Sequence, residues 1–293
     1  MFIFGTDIPL HLDEFRLLRD FIYQHCGLFF ADDAKYLLEK RLNKRLDELH
    51  LEHFRDYYYQ LRYGQHREQE MAAALDLLTT NETYFFREDF QLRTFTEDVV
   101  PELVEYKKNR RTRHLRIWSA GCSSGEEPYT LAMLLLEHPL LAGWDIEIIG
   151  TDISQRVLKT AREGLYGQNS FRVISQARLQ RYFTPAGQKW QLADEVKRLV
   201  RISHLNLFDQ NRVALLGEMD AIFCRNVIIY FDLEAKKRVI RTLHDCLRPG
   251  GYLLLGHSES LMSISTDFTL KHFEHDMLYQ KPAITTIPTE WQR

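Results

Sequence analysis

One strand–turn–helix passage carries residue types suited to gripping a nucleotide-like ligand. LRIWSAG is an apolar run of strand length, and EEPYTLAMLLLEH has the length and patterning of a helix. Between them lies Gly121-Cys122-Ser123-Ser124-Gly125. Glycines at such a turn remove side chains where a ligand must approach the backbone, and a helix start offers free N–H groups. The spacing is G-x-x-x-G and not G-x-G-x-x-G, which disfavours a nicotinamide-dependent dehydrogenase. The next apolar run, IEIIGTD, ends in Asp152. There a carboxylate can accept hydrogen bonds from both hydroxyls of a ribose. Helix capping is the competing role for Asp152, and Ser154 can fill it instead.

Other reactive residue types carry less. Cys122 has no histidine beside it in sequence, so a cysteine nucleophile is not supported, and His257 in GHSES is read as structural. The four cysteines show no C-x-x-C spacing. Neither a metal site nor a disulfide framework is expected, and a reducing cytoplasm is the default. The net charge of -3 gives no global signal for nucleic acid. The longest apolar stretch, Leu131 to Trp144, is broken by Glu137, His138 and Pro139, too short to span a bilayer. MFIFGTDIPLHLDEF lacks a basic start and a small-residue cleavage site, so no secretory leader is expected.

Two textures must position these residues. From 11 to about 98 the chain reads as helices: Phe15, Leu18 and Ile22 recur at helical spacing, as do Leu38, Leu42, Leu46 and Leu49. Asp32 or Asp33 is a candidate cap for the second helix, and a further helix should run from His53 to Tyr63 and stop near Gly64. From about Leu115 short apolar runs alternate with amphipathic ones, the pattern of βαβ units in an α/β fold. IEIIGTD is a second strand with SQRVLKTARE as its helix, and MDAIFCRNVIIYF, GGYLLLGHS and TLKHFEHDMLYQKP supply later strands. Leu247-Arg248-Pro249-Gly250-Gly251 reads as a turn ahead of the strand YLLLG. The basic run Lys107, Lys108, Arg110, Arg111 and Arg113 reads as a solvated linker.

The strings LLTTNETYFFRED, WSAGCSSGEEPYTLA, GTDIS and FCRNVIIYFD together resemble the chemotaxis receptor glutamate O-methyltransferases of the CheR type, over a stretch from about Asp13 to Lys281. The resemblance implies a class I (Rossmann-like) S-adenosylmethionine methyltransferase domain with a small inserted β subdomain, preceded by an all-α domain. The expected division is 1–78 helical and receptor-docking, 79–114 linker contributing to the cofactor site, and 115–293 methyltransferase, with the β insertion at about 181–203. It implies that Asn81, Thr83 and Arg87 reach the cofactor from the linker, near Gly121. Glu127 is expected on the cofactor's amino group, Asp152 on its ribose, Asn206 and Leu207 beside the adenine, and Asn226 and Val227 nearby. Tyr230 is expected near the transferred methyl, and with Arg87 forms the expected catalytic pair. Plainer roles stand beside these: Thr80 or Asn81 as caps, Phe85 and Phe86 as core, Glu126 or Glu127 as first-turn dipole residues, Tyr230 as an ordinary buried tyrosine.

The implied substrate is a glutamate side chain on cytoplasmic helices of chemoreceptors. A glutamate carboxyl, with a pKa of about 4.3, is ionised at neutral pH and needs no general base. Joining it to a sulfonium removes charge, which a dry site favours. A cation gripping that carboxylate would stabilise the ground state more than the transition state, so Arg87 is expected to orient and not to activate. It could equally hold the cofactor's own carboxylate. Tyr230 could donate to the non-attacking oxygen. Lys40, Arg41, Lys44 and Arg45 flank the Leu38–Leu42–Leu46 stripe as two basic shoulders, Arg41 with Arg45 and Lys40 with Lys44. They are expected to dock the acidic receptor bundle. Relatives that use a receptor C-terminal tether have a glycine-rich hairpin loop in the β insertion. Here that region holds only Gly187, so tether-independent methylation is expected. The enzyme is expected in the cytoplasm, recruited to receptor arrays without inserting in the membrane and without nucleic acid as partner, with a monomer the simplest state. A methyltransferase for nucleic acid or a small molecule, and a non-catalytic relative, are the competing readings. RNVIIYF lacks the prolines of DNA amino-methylases.

Overall fold

The computed structural model describes residues 8–283. The sequence expectations for the first seven residues and for the last ten lie outside it. Four helices come first: α1 (Leu12–Cys26), α2 (Lys35–Glu48), α3 (Phe54–Tyr63) and α4 (Arg67–Leu78). α1 buries Phe15, Leu18 and Ile22 and stops at Gly27, whose φ of 77° lets its N–H reach Tyr23 O. A Cβ there would also lie 2.1 Å from the Phe208 ring, so the left-handed turn and the close packing both require glycine. α2 buries Leu38, Leu42 and Leu46. Neither Asp32 nor Asp33 caps it: Ala34 holds the cap position, and Asp32 opens a 3-10 turn and pairs with Arg19 at 2.6 Å.

The basic face of α2 divides differently from the expected shoulders. Arg45 is drawn to Glu70 of α4, with Nε at 2.8 Å and Nη2 at 2.6 Å from its carboxylate. Tyr57 of α3 donates to the same carboxylate at 2.9 Å. Arg41 donates to Leu78 O and Thr80 Oγ1. Arg41 and Arg45 therefore hold the helices together, and only Lys40 and Lys44 stand exposed.

After a non-helical passage come α5 (Asp89–Thr94), a π-helical turn and α6 (Val100–Asn109). The basic run is not simply a solvated linker. Lys107 ends α6 with Nζ 2.8 Å from the buried Asp220, and Arg110 stacks on Tyr106. Next follow β1 (His114–Ala120), α7 (Glu126–Glu137), β2 (Asp145–Asp152), α8 (Gln155–Glu163), β3 (Leu165–Tyr166), α9 (Gln176–Tyr182), β4 (Phe183–Ala186), β5 (Lys189–Leu192) and α10 (Asp194–Lys197). The chain ends with β6 (Val200–His204), α11 (Gln210–Ala214), β7 (Met219–Cys224), α12 (Leu233–Cys246), β8 (Leu247–Leu255), β9 (Thr269–His272) and β10 (Met277–Gln280).

The main sheet has the order β6-β2-β1-β7-β8-β10-β9. The strands from β6 to β8 run parallel, and β10 lies antiparallel to both β8 and β9. The chain winds outward from β1 through β2 to β6, then returns to β7 on the other side of β1. Ligands bind at such a switch point, outside the carboxyl ends of the strands. Side chains alternate between two cores. Trp118, Ile222 and Leu253 face the four N-terminal helices and α12, and Ile117, Phe223 and Leu254 face α6 and α7. The helical domain is thus continuous with the core of the sheet.

Three sequence readings change. The small sheet, of order β3-β5-β4, begins at Leu165 and not near 181, and Val200–His204 is an edge strand of the main sheet. β7 stops at Cys224, and Ile228–Tyr230 forms a 3-10 turn, so FCRNVIIYF is a strand end followed by a loop. Arg248-Pro249-Gly250-Gly251 lies within β8, at a register shift against β7.

Burial pushes the Glu70 carboxyl up, but the donors on Arg45 and Tyr57 and the Arg45 charge leave it below its ordinary value. Its ionised form therefore favours the fold above the unfolded pKa, a contribution lost as pH falls through the folded one. Glu70→Gln is expected to cost about 2 kcal/mol at neutral pH. In denaturant melts the gap to wild type should close below about pH 4.

Candidate active site

A cavity of about 300 Å³ opens at the switch point. Its floor is the turn after β1. Gly121 N and Cys122 N both donate to Thr151 O, which folds the turn onto the end of β2. Gly121 has φ 79°, and a Cβ there would lie 2.4 Å from Val227, so the two loops approach as closely as glycine allows. Asp152 closes β2 and accepts N–H bonds from Ser123 at 2.8 Å and Ser154 at 2.9 Å. Burial pushes its carboxyl up, and those N–H donors, led by Ser154, oppose the shift. Ser154 itself caps α8, so Asp152 is free of that duty.

The two acids opening α7 diverge. Glu126 accepts from Ser124 and Ser170 and is 2% exposed. Glu127 faces the cavity, with Ser119 Oγ at 2.7 Å on one oxygen and Arg225 Nη1 at 3.1 Å on the other. Burial pushes its carboxyl up, and the Arg225 charge pulls against that.

Residues 79–88 supply one wall, through 79–84 and Arg87. They read as helix in the sequence but run as turns and extended chain. α4 ends at Leu78, and neither Thr80 nor Asn81 caps a helix. Anchors come from all sides. Phe85 N–H donates to Ser170 O, and its ring lies in a cluster with Tyr166, Phe171 and Phe183. Phe86 N–H donates to Thr130 Oγ1, and Ser123 Oγ donates to Asn81 O. Phe85 and Phe86 are core, as the plainer reading has it. Phe86 and Glu88 both have left-handed φ values, 61° and 59°, on either side of Arg87. Such backbone costs about 1–2 kcal/mol per residue and persists only where the surroundings impose it. Asn81, Thr83 and Arg87 all border the cavity. The Arg87 side chain, 27% exposed, donates to Glu82 O and lies 3.8 Å from Glu88.

The opposite wall is the loop after β7. Asn226, at φ 59°, Val227 and Tyr230 border the cavity. Glu259 organises this loop by accepting from Asn226 N at 2.7 Å, Ile229 N at 3.2 Å and Gly256 N at 2.7 Å. The Tyr230 hydroxyl has no protein partner among the described residues. At the far end lie Asn206 and Leu207, with Asn206 Nδ2 donating to His25 O at 2.7 Å. The helical domain thus completes the site: Cys26, Leu28 and Leu78 line it, Leu28 bridges Phe231, and Phe29 N–H donates to Tyr230 O.

Every residue expected at the cofactor or the methyl therefore borders one cavity, while Lys40, Arg41, Lys44 and Arg45 lie on α2 outside it. Arg225, Glu259 and the Cys26–Phe29 segment border the cavity or hold its loops, and sequence reasoning missed them. Only Arg225 left a signal, as the charged residue inside the apolar C-R-N-V string. His257 is exposed and does not border the cavity. Burial, then Asp152 and Glu127, push the Cys122 thiol well up, so it is no thiolate at neutral pH. Among the described residues no group of His, Cys, Asp and Glu is placed to hold a metal ion. No helix among them is long and apolar enough to cross a membrane. A nucleoside with a charged amino-acid tail fits these residues: a glycine floor without side chains, a buried carboxylate at a strand end, and a second carboxylate deeper in.

Comparison with known proteins agrees. Residues 13–79 match the family described as CheR methyltransferase, all-alpha domain, and residues 81–277 match CheR methyltransferase, SAM binding domain. Chemotaxis protein methyltransferase 2 of Vibrio cholerae is 40% identical over 279 residues, covering 94% of this chain and 96% of that one. Chemotaxis protein methyltransferase 1 of Pseudomonas aeruginosa is 35% identical over 275 residues, covering 91% and 97%. With the class I sheet, the helical domain and a cavity suited to S-adenosylmethionine all in place, the chain belongs to the CheR family of S-adenosylmethionine-dependent methyltransferases.

Proposed function

We propose that the protein methylates the γ-carboxylate of glutamates on cytoplasmic helices of chemoreceptors. The carrying observation is what the cavity lacks: among the described residues, no histidine or lysine lines it. A hydroxyl or amine substrate would need a base to take its proton, whereas a carboxylate arrives ionised. Glu127 and Asp152 are already committed to hydrogen bonds, and Glu82 pairs with Arg172 at 2.9 Å.

Bound S-adenosylmethionine supplies a methyl group on a positively charged sulfur. Asp152 is the acceptor for ribose hydroxyls, Glu127 for the ammonium group, and Asn206 and Leu207 flank the base. Arg87, anchored at Glu82 O and still partly exposed, orients the incoming carboxylate. The Tyr230 phenol donates to the oxygen that does not attack. Leu28, Leu92, Val227 and Phe231 exclude water, which favours a step in which charge disappears. Labelled methyl transferred to receptor should be released by mild base, as an ester is. Base-stable label would overturn the carboxylate reading. Arg87→Ala should lower transfer about tenfold or more while calorimetry finds S-adenosylhomocysteine affinity near normal. A matching loss of affinity would assign Arg87 to the cofactor's carboxylate.

For docking, the exposed pair Lys40 and Lys44 supports steering of an acidic helical partner. Lys44 is tied only loosely, 3.8 Å from Glu48. Lys40→Glu with Lys44→Glu should slow receptor methylation and weaken its salt dependence, leaving cofactor affinity and melting temperature unchanged. Full activity in that variant would remove α2 from the docking surface.

Tether-independent methylation is supported by the β4 edge of the small sheet. Strand addition needs outward N–H and C=O groups in alternation. β4 and β5 join through a two-residue turn at Gly187-Gln188, with Ala186 opposite Lys189. That register turns the backbones of Phe183 and Pro185 outward. Pro185 has no N–H, and Phe183 N–H is spent on Leu179 O at the end of α9. This edge therefore offers no donor to an added strand. Calorimetry with an aromatic receptor C-terminal peptide should detect no binding, and receptors lacking that peptide should be methylated at the full rate. Micromolar binding would reverse this part of the reading.

A further inference from the structure

Arg225 follows β7 directly, and its side chain is 3% exposed although it borders the cavity. Nη1 lies 3.1 Å from Glu127 Oε2. Nη2 lies 3.0 Å from Glu88 Oε2 and donates to Arg87 O at 2.7 Å. One guanidinium thus joins the start of α7, the end of β7 and the strained Phe86-Arg87-Glu88 turn. Arg225 has carboxylates on two sides, and Arg87 lies 3.8 Å from Glu88, so Glu127 is the one without a second cation among the described residues. It suits a ligand's cationic end and does not suit a substrate carboxylate.

We infer that Arg225 is a positioning residue: it keeps Glu127 ionised and aimed into the cavity and pins the backbone that presents Arg87, without touching substrate. A planar fork suits this task, because its two ends can bond different partners in fixed directions. Lysine offers the same charge as a single point. The groups facing Glu127 are few. Ser119 donates from β1, Glu88 repels from ahead of α5, and Arg225 is the only cation in contact with it among the described residues. The nearby thiols of Cys122 and Cys224 are pushed well up by burial and stay neutral, and Asp152 lies beyond Cys122. Without Arg225, burial and Glu88 would both favour a protonated Glu127, which cannot accept the ammonium group as a carboxylate does.

The inference rests on Glu127 holding the cofactor's ammonium group, and binding tests separate the two. S-adenosylhomocysteine carries that group and 5′-methylthioadenosine lacks the whole amino-acid tail. Calorimetry would compare both ligands across a window of pH on either side of neutrality. Wild type should bind S-adenosylhomocysteine with little change across the window. Arg225→Gln should bind it at least about tenfold more weakly at the acidic end and recover as pH rises, the direction linkage requires for a carboxyl that must ionise to bind. Its affinity for 5′-methylthioadenosine should match wild type, which also shows that the pocket is formed. Arg225→Lys, a gentler change should Arg225→Gln not fold, should flatten the pH profile but leave transfer slow, because the Arg87 turn is no longer pinned. A pH-independent loss confined to S-adenosylhomocysteine would overturn the inference in favour of direct contact through Arg225 Nε. Equal loss of both ligands would reduce Arg225 to a scaffold role. Unchanged binding would remove it from the site. Unchanged affinity in Glu127→Gln would instead sink the assignment of Glu127, whereas a weak Glu127→Gln beside a normal Arg225→Gln would sink only the inference.

Discussion

A site that receives a cationic ligand must keep carboxylates ionised where burial would protonate them, and much of this structure follows from that constraint. Asp152 meets it with backbone N–H groups from Ser123 and Ser154, and Glu259 with three more, two from the loop after β7 and one from Gly256. Glu127 meets it with a hydroxyl and a guanidinium. Backbone donors come with the fold and carry no formal charge. Arg225 brings a full charge into the interior, which is costly unless paired on more than one side. Glu88 and Arg87 O supply the remaining sides, and to do so the chain around Arg87 adopts left-handed backbone at Phe86 and Glu88. The strain and the buried cation thus account for each other.

The same economy explains why the helical domain is part of the active site. The cavity walls are loops, and loops have few backbone partners of their own. His25 O takes the Asn206 amide, Phe29 N–H takes Tyr230 O, and the Tyr23 hydroxyl donates to Asp232 at the start of α12. All three come from the last turn of α1 and the segment just after it. The left-handed turn at Gly27 lets that segment lie against Phe208.

The legible parts of the sequence were local ones. The run from LRIWSAG through the glycine turn to its helix needs only neighbouring residues to be recognised, and Gly121 proved to sit where a side chain would strike Val227. The apolar stripes of α1 and α2 were equally plain. What escaped depends on residues far apart. The 79–88 passage has the composition of a helix end, but its backbone is set by Ser170, Thr130 and Arg225. Val200 to Ser203, expected in the insertion from the family resemblance, pair instead with β2. Arg41 and Arg45 looked like free surface because Glu70, which claims Arg45, sits on another helix.

Under the proposed function, the lining of the cavity also bears on how one glutamate is told from another. A step in which opposite charges vanish gains from dryness, so the apolar wall of Leu28, Val227 and Phe231 serves the chemistry for any carboxylate that reaches it. Dryness and a few hydrogen bonds cannot distinguish glutamates that share one side chain. Under the proposed function, discrimination then lies outside the cavity. The exposed apolar side chains of Phe29, Ile229 and Leu233 belong to the same segments that frame Tyr230. The chain therefore keeps its charged groups buried along the cavity and its apolar side chains exposed on the segments around Tyr230.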